Sequence, residues 1–585
     1  MARPTAKTAV NALAWGKLPL EAYSIVRDLP IIFAALAMFY AVLATTHYWM
    51  TPVNAHAEIS LSPSALPMYA TYSVLRIAIA YLLSLAFTFV YGYVAAYNAK
   101  AERFMIPILD TLQSIPVLSF LPSVMIAMVA LFPTRQLGLE LGSIILIFTG
   151  QVWNMTFSFY SSLKSIPTEM REVARIYRWS WWQRFTQMEL PYAMIGLVWN
   201  SMMSVAGGWF FLMACEMFVL GNRDLRLPGL GSDLQTAANA GNTRAIVIGL
   251  MTMIGVIVLI DVLIWRPVIA WAEKFKFEQV ESAEAPRSPV LDFVRHSKIL
   301  PFVARHSFRP AREFVNLFFA RRHEIELEET DGREGKWSKW LVRAFLAMVL
   351  VGIAFAFVKM SILLSGLKWL EVSGILRGAG ATFLRVELVL VLAGLWTIPA
   401  GVIIGLHPKL SAIAQPIAQI LASVPATALF PILLLVLIRA GGGLGIGSIV
   451  LLLLGTQWYI LFNVIAGAIA LPTDLKEVCG VFRFGRWEKW RELYLPGIFP
   501  YLVTGFVTAS GGAWNASIVA ECFHFKGQTF STVGLGAVIS SATDSGNFRV
   551  LLAATILMAA IVVTINRTVW RRLYALAATK YKLEG

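Results

Sequence analysis

Two stretches of the 585-residue chain repeat one another in a fixed register, and a tandem repeat of this length requires a fold built from two equivalent halves. At an offset of 309, Ser73 and Arg76 match Thr382 and Arg385, Pro107 matches Pro416, and Ser114-Ile115-Pro116 matches Ser423-Val424-Pro425. The offset then slips to 305 and holds as far as Trp265-Arg266 and Trp570-Arg571. Along that stretch Glu172 pairs with Glu477, Leu190-Pro191 with Leu495-Pro496, and Gly207 with Gly512. Further on, Glu216 pairs with Glu521, Gly229-Leu230-Gly231 with Gly534-Leu535-Gly536, and Gly241-Asn242 with Gly546-Asn547.

Apolar runs of about 18 residues or more recur in both halves, and each is long enough to cross a hydrocarbon core of about 30 Å. The chain is 58% hydrophobic and 14% charged, against roughly 45–50% and about 25% in soluble domains, which argues against a soluble enzyme. The runs predict spans near 29–50, 68–97, 105–131, 139–162, 191–218 and 244–270, and again near 340–366, 379–406, 410–438, 444–470, 496–520 and 549–573. The first run is too long for the apolar core of a signal peptide and reads as a retained span. The expected fold class is therefore an all-α polytopic membrane protein with two parallel repeats of about six transmembrane helices, residues 1–272 and 339–585. An even number of spans per half returns the chain to its starting side, so the halves should relate by a pseudo-twofold axis along the membrane normal.

Between the halves, residues 273–338 carry 12 basic and 12 acidic residues and read as a soluble linker. The loop from Thr51 to Pro67 has no Lys or Arg, whereas the loop 163–191 carries Lys164, Arg171, Arg175, Arg178 and Arg184. Its twin, 468–496, carries Lys476, Arg483, Arg486, Lys489 and Arg491. The positive-inside rule is expected to put both loops, the linker and both termini in the cytoplasm, and assigns the net charge of +15 to cytoplasmic loops rather than to a nucleic-acid partner. Cys215, Cys479 and Cys522 lie far apart, without the spacing of a metal site.

The two basic loops share more than charge. Glu172-Val173-Ala174 is followed 19 residues after the glutamate by Pro191 in Leu190-Pro191, and Glu477-Val478-Cys479 by Pro496 in Leu495-Pro496 at the same separation. This resembles the Glu-Ala-Ala loop of the membrane subunits of binding-protein-dependent ABC importers, over roughly residues 68–272 and 379–575. The segment from Glu172 to Trp182 is expected to form a short helix, with Thr168 capping its first amides and Glu172 near its positive end. One face would offer Val173, Ile176 and Tyr177 to a groove in a partner. The family's glycine six residues after the glutamate is Arg178 in one half and Arg483 in the other, so the following turn is expected to differ. The Leu-Pro is expected to end the loop and reset the chain into the next span.

The resemblance implies a permease that is not itself an enzyme. No Walker loop occurs, so ATP and Mg would be bound by two separate ATPase subunits docking on Glu172, Ala174, Arg178, Leu190 and Pro191 and on Glu477, Cys479, Arg483, Leu495 and Pro496. It also implies a periplasmic or lipid-anchored substrate-binding protein and a bacterial inner membrane. Ala214-Cys215-Glu216 with Gly229-Leu230-Gly231, and Ala520-Glu521 with Gly534-Leu535-Gly536, resemble nitrate, sulfonate, taurine and bicarbonate-type permeases, hence a small inorganic or organic anion as cargo.

Within the spans, Glu216 and Glu521 each fall 25 residues after the Leu-Pro proline, about 37 Å along an unbroken helix, which predicts a structural or gating role at the outer mouth. Arg76 and Arg385 are expected to snorkel to the headgroups there, or to attract an anion. Gln151, Gln457, Trp209, Trp514 and Asn515 are candidate pathway-lining residues. Gly207-Gly208 and Gly511-Gly512 are expected to let helix backbones approach. The alternative reading, a six-plus-six secondary transporter, would need coupling groups at the midplane, and few are present.

Overall fold

The computed structural model describes residues 42–52, 59–220, 223–275, 289–295, 336–439, 443–525 and 528–580, with single positions between 33 and 40 and between 306 and 313. Part of the span expected at 29–50, including residues 29–32, and most of the linker at 273–338 lie outside the described residues.

The first half runs α1 (Leu66–Tyr97), α2 (Ala99–Ser114), α3 (Leu121–Leu131), α4 (Leu137–Lys164), α5 (Thr168–Ile176), α6 (Trp181–Glu216), a hairpin of β1 (Val219–Leu220) and β2 (Arg223–Asp224), α7 (Leu230–Asn239) and α8 (Thr243–Ala272). The second half opens with α9 (Lys336–Leu364) and then repeats that order: α10 (Trp369–Leu406), α11 (Pro408–Ser423), α12 (Ala426–Arg439), α13 (Leu444–Ile469), α14 (Thr473–Val481) and α15 (Arg486–Ala520). A hairpin of β3 (Cys522–Phe525) and β4 (Gln528–Ser531), α16 (Leu535–Asp544) and α17 (Phe548–Ala577) complete it. Among the described residues, eight helices are long and apolar enough to cross a membrane: α1, α4, α6, α8, α10, α13, α15 and α17.

The third span of each half is not one straight helix. Ile115 and Val424 are extended (ψ 126° and 115°) because each precedes a proline whose ring excludes the helical region for its neighbour. The chain turns by 83° between Ala99–Gln113 and Val117–Leu131. Local chemistry sets the other boundaries. Asn98 ends α1 in an extended conformation and its side chain accepts from the amides of Lys100 and Ala101, starting α2. Gly241 (φ 63°) and Gly546 (φ 68°) end α7 and α16 in the left-handed conformation that glycine adopts without penalty. Asn242 and Asn547 then accept from Ala245 and Val550 to begin α8 and α17.

The Leu-Pro motifs do not reset the chain. Helix continues through Leu190-Pro191 and Leu495-Pro496, because a π turn at Phe185–Glu189 and at Lys489–Tyr494 widens the spiral just before the proline, where its ring would otherwise meet a carbonyl.

By contact the chain divides into two compact units. One takes Met1–Tyr48, Ile166–Ile195 and Val262–Arg333; its described part holds α5, the opening of α6, the end of α8 with Trp271 edge-on to Phe275, and a short helix Pro289–Arg295. The other takes Trp49–Ser165, Gly196–Asp261 and Glu334–Gly585. In it α1 packs along α4, α10 along α13 and α13 along α15, around a core that includes Met125, Leu146, Ile460, Trp514 and Leu535. Close helix approach occurs at Gly405, where an added Cβ would lie 2.8 Å from the Ile465 carbonyl, and not at the glycine pairs expected. Gly511 faces open space, Gly208 lies against the Gln151 side chain, and Gly207 and Gly512 face Tyr459.

Candidate functional site

Three motifs far apart in the first repeat converge on one buried cluster. Glu216 ends α6 with no exposed surface, and its Oε1 accepts from Ser73 Oγ at 2.6 Å and from Arg76 Nη1 at 2.7 Å, both on α1. Its Oε2 accepts from the Gly231 amide at 2.7 Å, in the first turn of α7. Ser73 Oγ also accepts from the Leu230 amide at 3.0 Å. The carboxylate thus sits on the positive end of α7, where free amides and the helix dipole favour an anion. Gly229 has to be glycine here: a Cβ would fall 2.3 Å from the Glu216 carboxyl carbon.

Arg76 is 1% exposed, which corrects the snorkelling expectation. Its fork is filled by Glu140 of α4, with Nε to Oε2 and Nη2 to Oε1 both at 2.6 Å, and Nη1 also donates to the Pro228 carbonyl at 2.9 Å. Bidentate geometry of this kind is what makes burial of the charges tolerable. Asp233, one turn into α7, is packed against α8 at Gly249, and burial pushes its carboxyl up to about 6.

The second repeat builds the same cluster with one part missing. Glu521 pairs with Arg385, accepts from Thr382 Oγ1 at 2.7 Å and from the Gly536 amide at 2.8 Å, and Thr382 accepts from the Leu535 amide at 2.8 Å. Arg385 donates to the Val533 carbonyl at 3.0 Å, remains 11% exposed, and so does not snorkel either. Position 445, the register partner of Glu140, is glycine. Glu140 therefore escaped the repeat comparison; an acidic residue in the first turn of an apolar span was its only trace.

The short helices carrying Glu172 and Glu477 are α5 and α14. They begin at Thr168 and Thr473, with Pro167 and Pro472 as N-caps and no threonine side-chain cap, and they stop at Ile176 and Val481 rather than reaching Trp182. Glu172 and Glu477 are each the fifth helical residue, not the first. Arg178 and Arg483 take φ 49° and 51°, a left-handed conformation that glycine adopts more readily than arginine. In the first, the Trp179 amide donates to the Ala174 carbonyl and the Arg178 amide to that of Arg175, both at 3.0 Å. Phe484 to Cys479 and Arg483 to Gly480 repeat this pattern at 3.0 and 3.1 Å, closing a Schellman turn each time. Arg178→Val, branched at Cβ, is expected to destabilise the turn by about 1 kcal/mol or more relative to Arg178→Gly. The check is hydrogen exchange of the Arg178 and Trp179 amides, expected to be roughly fivefold faster in the valine variant.

Ala174 and Cys479 are buried, and the opposite side of each helix is bare. Val173, Ile176 and Tyr177 are 45%, 77% and 71% exposed; Val478, Val481 and Phe482 are 45%, 79% and 70% exposed. The two helices carry matched apolar ridges.

Of the pathway candidates, the structure brings one to a cavity. A space of about 130 Å³ is lined by Met202, Gly207 and Phe210 of α6, Gln419, Val424 and Pro425 around the α11–α12 break, and Trp458, Tyr459, Gly512 and Asn515 of α13 and α15. Among the described residues, no Asp, Glu, Lys or Arg lines it. Trp209 and Trp514 are core residues, Gln457 is buried away from this space, and Gln151 is buried against Gly208 with neither amide atom hydrogen-bonded. Tyr459 and Gln419 are polar lining residues that were not among the candidates.

The sequence matches the family described as binding-protein-dependent transport system inner membrane component twice, over residues 88–265 and 397–578. It is 29% identical over 181 residues, 31% of this chain and 61% of the relative, to the nitrate import permease protein NrtB of Leptolyngbya laminosa. It is 27% identical over 189 residues, 32% of this chain and 65% of the relative, to the bicarbonate transport system permease protein CmpB of Synechococcus elongatus. The putative aliphatic sulfonates transport permease protein SsuC of Bacillus subtilis is 22% identical over 179 residues, 31% of this chain and 60% of its own. The matches thus cover about 60 to 65% of these relatives' lengths. With both matches falling on the two copies of one helical order, the chain belongs to the inner membrane components of binding-protein-dependent transport systems, as a duplicated, all-α permease in a single polypeptide.

Proposed function

We propose that this chain forms the membrane pathway of an importer for a small anion of the nitrate, bicarbonate or sulfonate kind. Two separate ATPase subunits would drive it, and a substrate-binding protein on the other side of the membrane would supply it. The observation that carries the reading is the pair of matched apolar ridges on α5 and α14, each fixed by a Schellman turn and a buried small residue. A short amphipathic helix that anchors one face and bares the other suits docking in a groove. The basic loops around the ridges support a cytoplasmic position for them and for the two termini, where ATP and Mg would be available to the partners. ATPase closure would draw the two helices together and rock the halves around the uncharged cavity, giving alternating access. A neutral lining lets an anion pass without trapping it.

Ile176→Asp combined with Val481→Asp would bury a carboxylate in each docked groove, a loss of about 3–5 kcal/mol per site. Vesicle uptake with ATPase subunits and binding protein present is expected to fall at least roughly 100-fold, with the ATPases no longer co-purifying. Glu172→Ala with Glu477→Ala is the milder form, expected to leave ATP hydrolysis while lowering uptake. Full ligand-stimulated uptake in the aspartate variant would overturn the docking role.

A further inference from the structure

The two halves touch through a pair of polar contacts that the internal repeat makes equivalent. Asp110 of α2 accepts from Asn566 Nδ2 of α17 at 3.5 Å, and Asp261 of α8 accepts from Gln419 Nε2 of α11 at 3.2 Å. In the repeat register Asp110 corresponds to Gln419, at the offset of 309, and Asp261 to Asn566, at 305. The same crossing is therefore made twice, once with the carboxylate on the bent third segment and once with it on the last helix. Both carboxylates come from the first half and both amides from the second. Asp261 and Asn566 each open the π turn of their helix, so the backbone is alike at both crossings.

We infer that this arrangement is a pairing code which makes the first half accept the second half and reject a copy of itself. Two first halves brought together with this symmetry would set Asp110 against Asp261 at both crossings, a carboxylate facing a carboxylate where the chain now has a carboxylate facing an amide. Like charges at that distance repel, and more strongly at the part-buried crossing of Asp261 than at the exposed one of Asp110. An acid–amide pair has a donor for the acceptor and no charge to oppose. Two second halves would meet through amides alone, which is tolerated. One chain, however, supplies the halves in equal number, so forbidding one self-pairing leaves no partners for the other. The code thus favours units made of one first half and one second half, which a single chain supplies. It rests on the permease reading only for the meaning of that unit, since the pairing itself can be read from stability without any transport assay.

The test uses the full chain in detergent micelles, with thermal melting as the readout. Gln419→Glu with Asn566→Asp reproduces at both crossings what a first half would meet in its own copy, and is expected to melt at least about 3 °C below the parent. Asp110→Asn with Asp261→Asn makes both crossings all-amide and is expected to melt within about 1 °C of the parent. Combining all four substitutions restores acid–amide pairs with the sides exchanged, and is expected to recover most of the loss. The inference is overturned if the all-carboxylate chain melts with the parent, or if the fourfold variant melts as low as the all-carboxylate one. In the second case the loss comes from side-chain shape at 419 and 566 and not from facing charges. A loss of vesicle uptake in the all-amide variant, whose melting is expected to match the parent, would bear on the transport reading alone.

Discussion

Arg76→Leu is expected to destabilise the protein by about 3–5 kcal/mol, because it strands two buried carboxylates at once. Glu140 loses both donors of its fork, and Glu216 keeps only the Ser73 hydroxyl and the Gly231 amide. Neither glutamate has exposed surface through which water could compensate. The measurement is thermal melting in detergent together with the amount of folded protein recovered from membranes, both expected to fall sharply. Adding Glu140→Gln and Glu216→Gln should recover part of the loss by removing the stranded charges. Arg385→Leu leaves one carboxylate instead of two, held by Thr382 and the Gly536 amide, and should cost less. Melting of Arg76→Leu within 1 °C of the parent would show that the cluster does not hold the bundle together.

Gly534→Ala is the second large effect, expected at about 3 kcal/mol or more. The new methyl would lie 2.1 Å from Glu521 Oε2 and 2.2 Å from its carboxyl carbon, so the carboxylate must leave its place. In leaving it gives up Arg385, Thr382 and the first turn of α16 together. Gly229→Ala should do the same to Glu216, where the methyl would lie 2.3 Å from the carboxyl carbon. Gly511→Ala is the control, since nothing lies within 4 Å of its Cβ position and alanine favours a helix interior. Equal melting of the Gly534 and Gly511 variants would contradict the account of why the Gly-Leu-Gly segment has the composition it has.

The spans that become α1, α4, α8 and α13 were legible because apolar length alone sets where such helices form. The third spans were not, although Ser-Ile-Pro and Ser-Val-Pro stand in plain view. Hydropathy runs through them, and only the restriction that proline places on Ile115 and Val424 marks the bend. Arg76 was misplaced for a different reason. Reading one helix at a time puts an arginine near a span end and sends it to the headgroups, whereas its fate is set by Glu140, 64 residues away on another helix. The Gly-Leu-Gly segment was visible as a motif without its purpose, since the carboxylate it accommodates approaches through space. On the short loop helices the apolar face was readable from spacing. Their ends were not, because an arginine in a left-handed conformation gives no signal in the sequence.

Glu140 and Gly445 occupy one position of the repeat and have opposite consequences for the arginine beside them. In an assembly of two identical subunits every substitution arrives twice, and each must be tolerable on both sides of the axis at the same time. Tandem fusion lifts that requirement. One copy can keep a third charged partner while the other does without it, and each lobe is free to drift under its own constraints while the shared architecture endures.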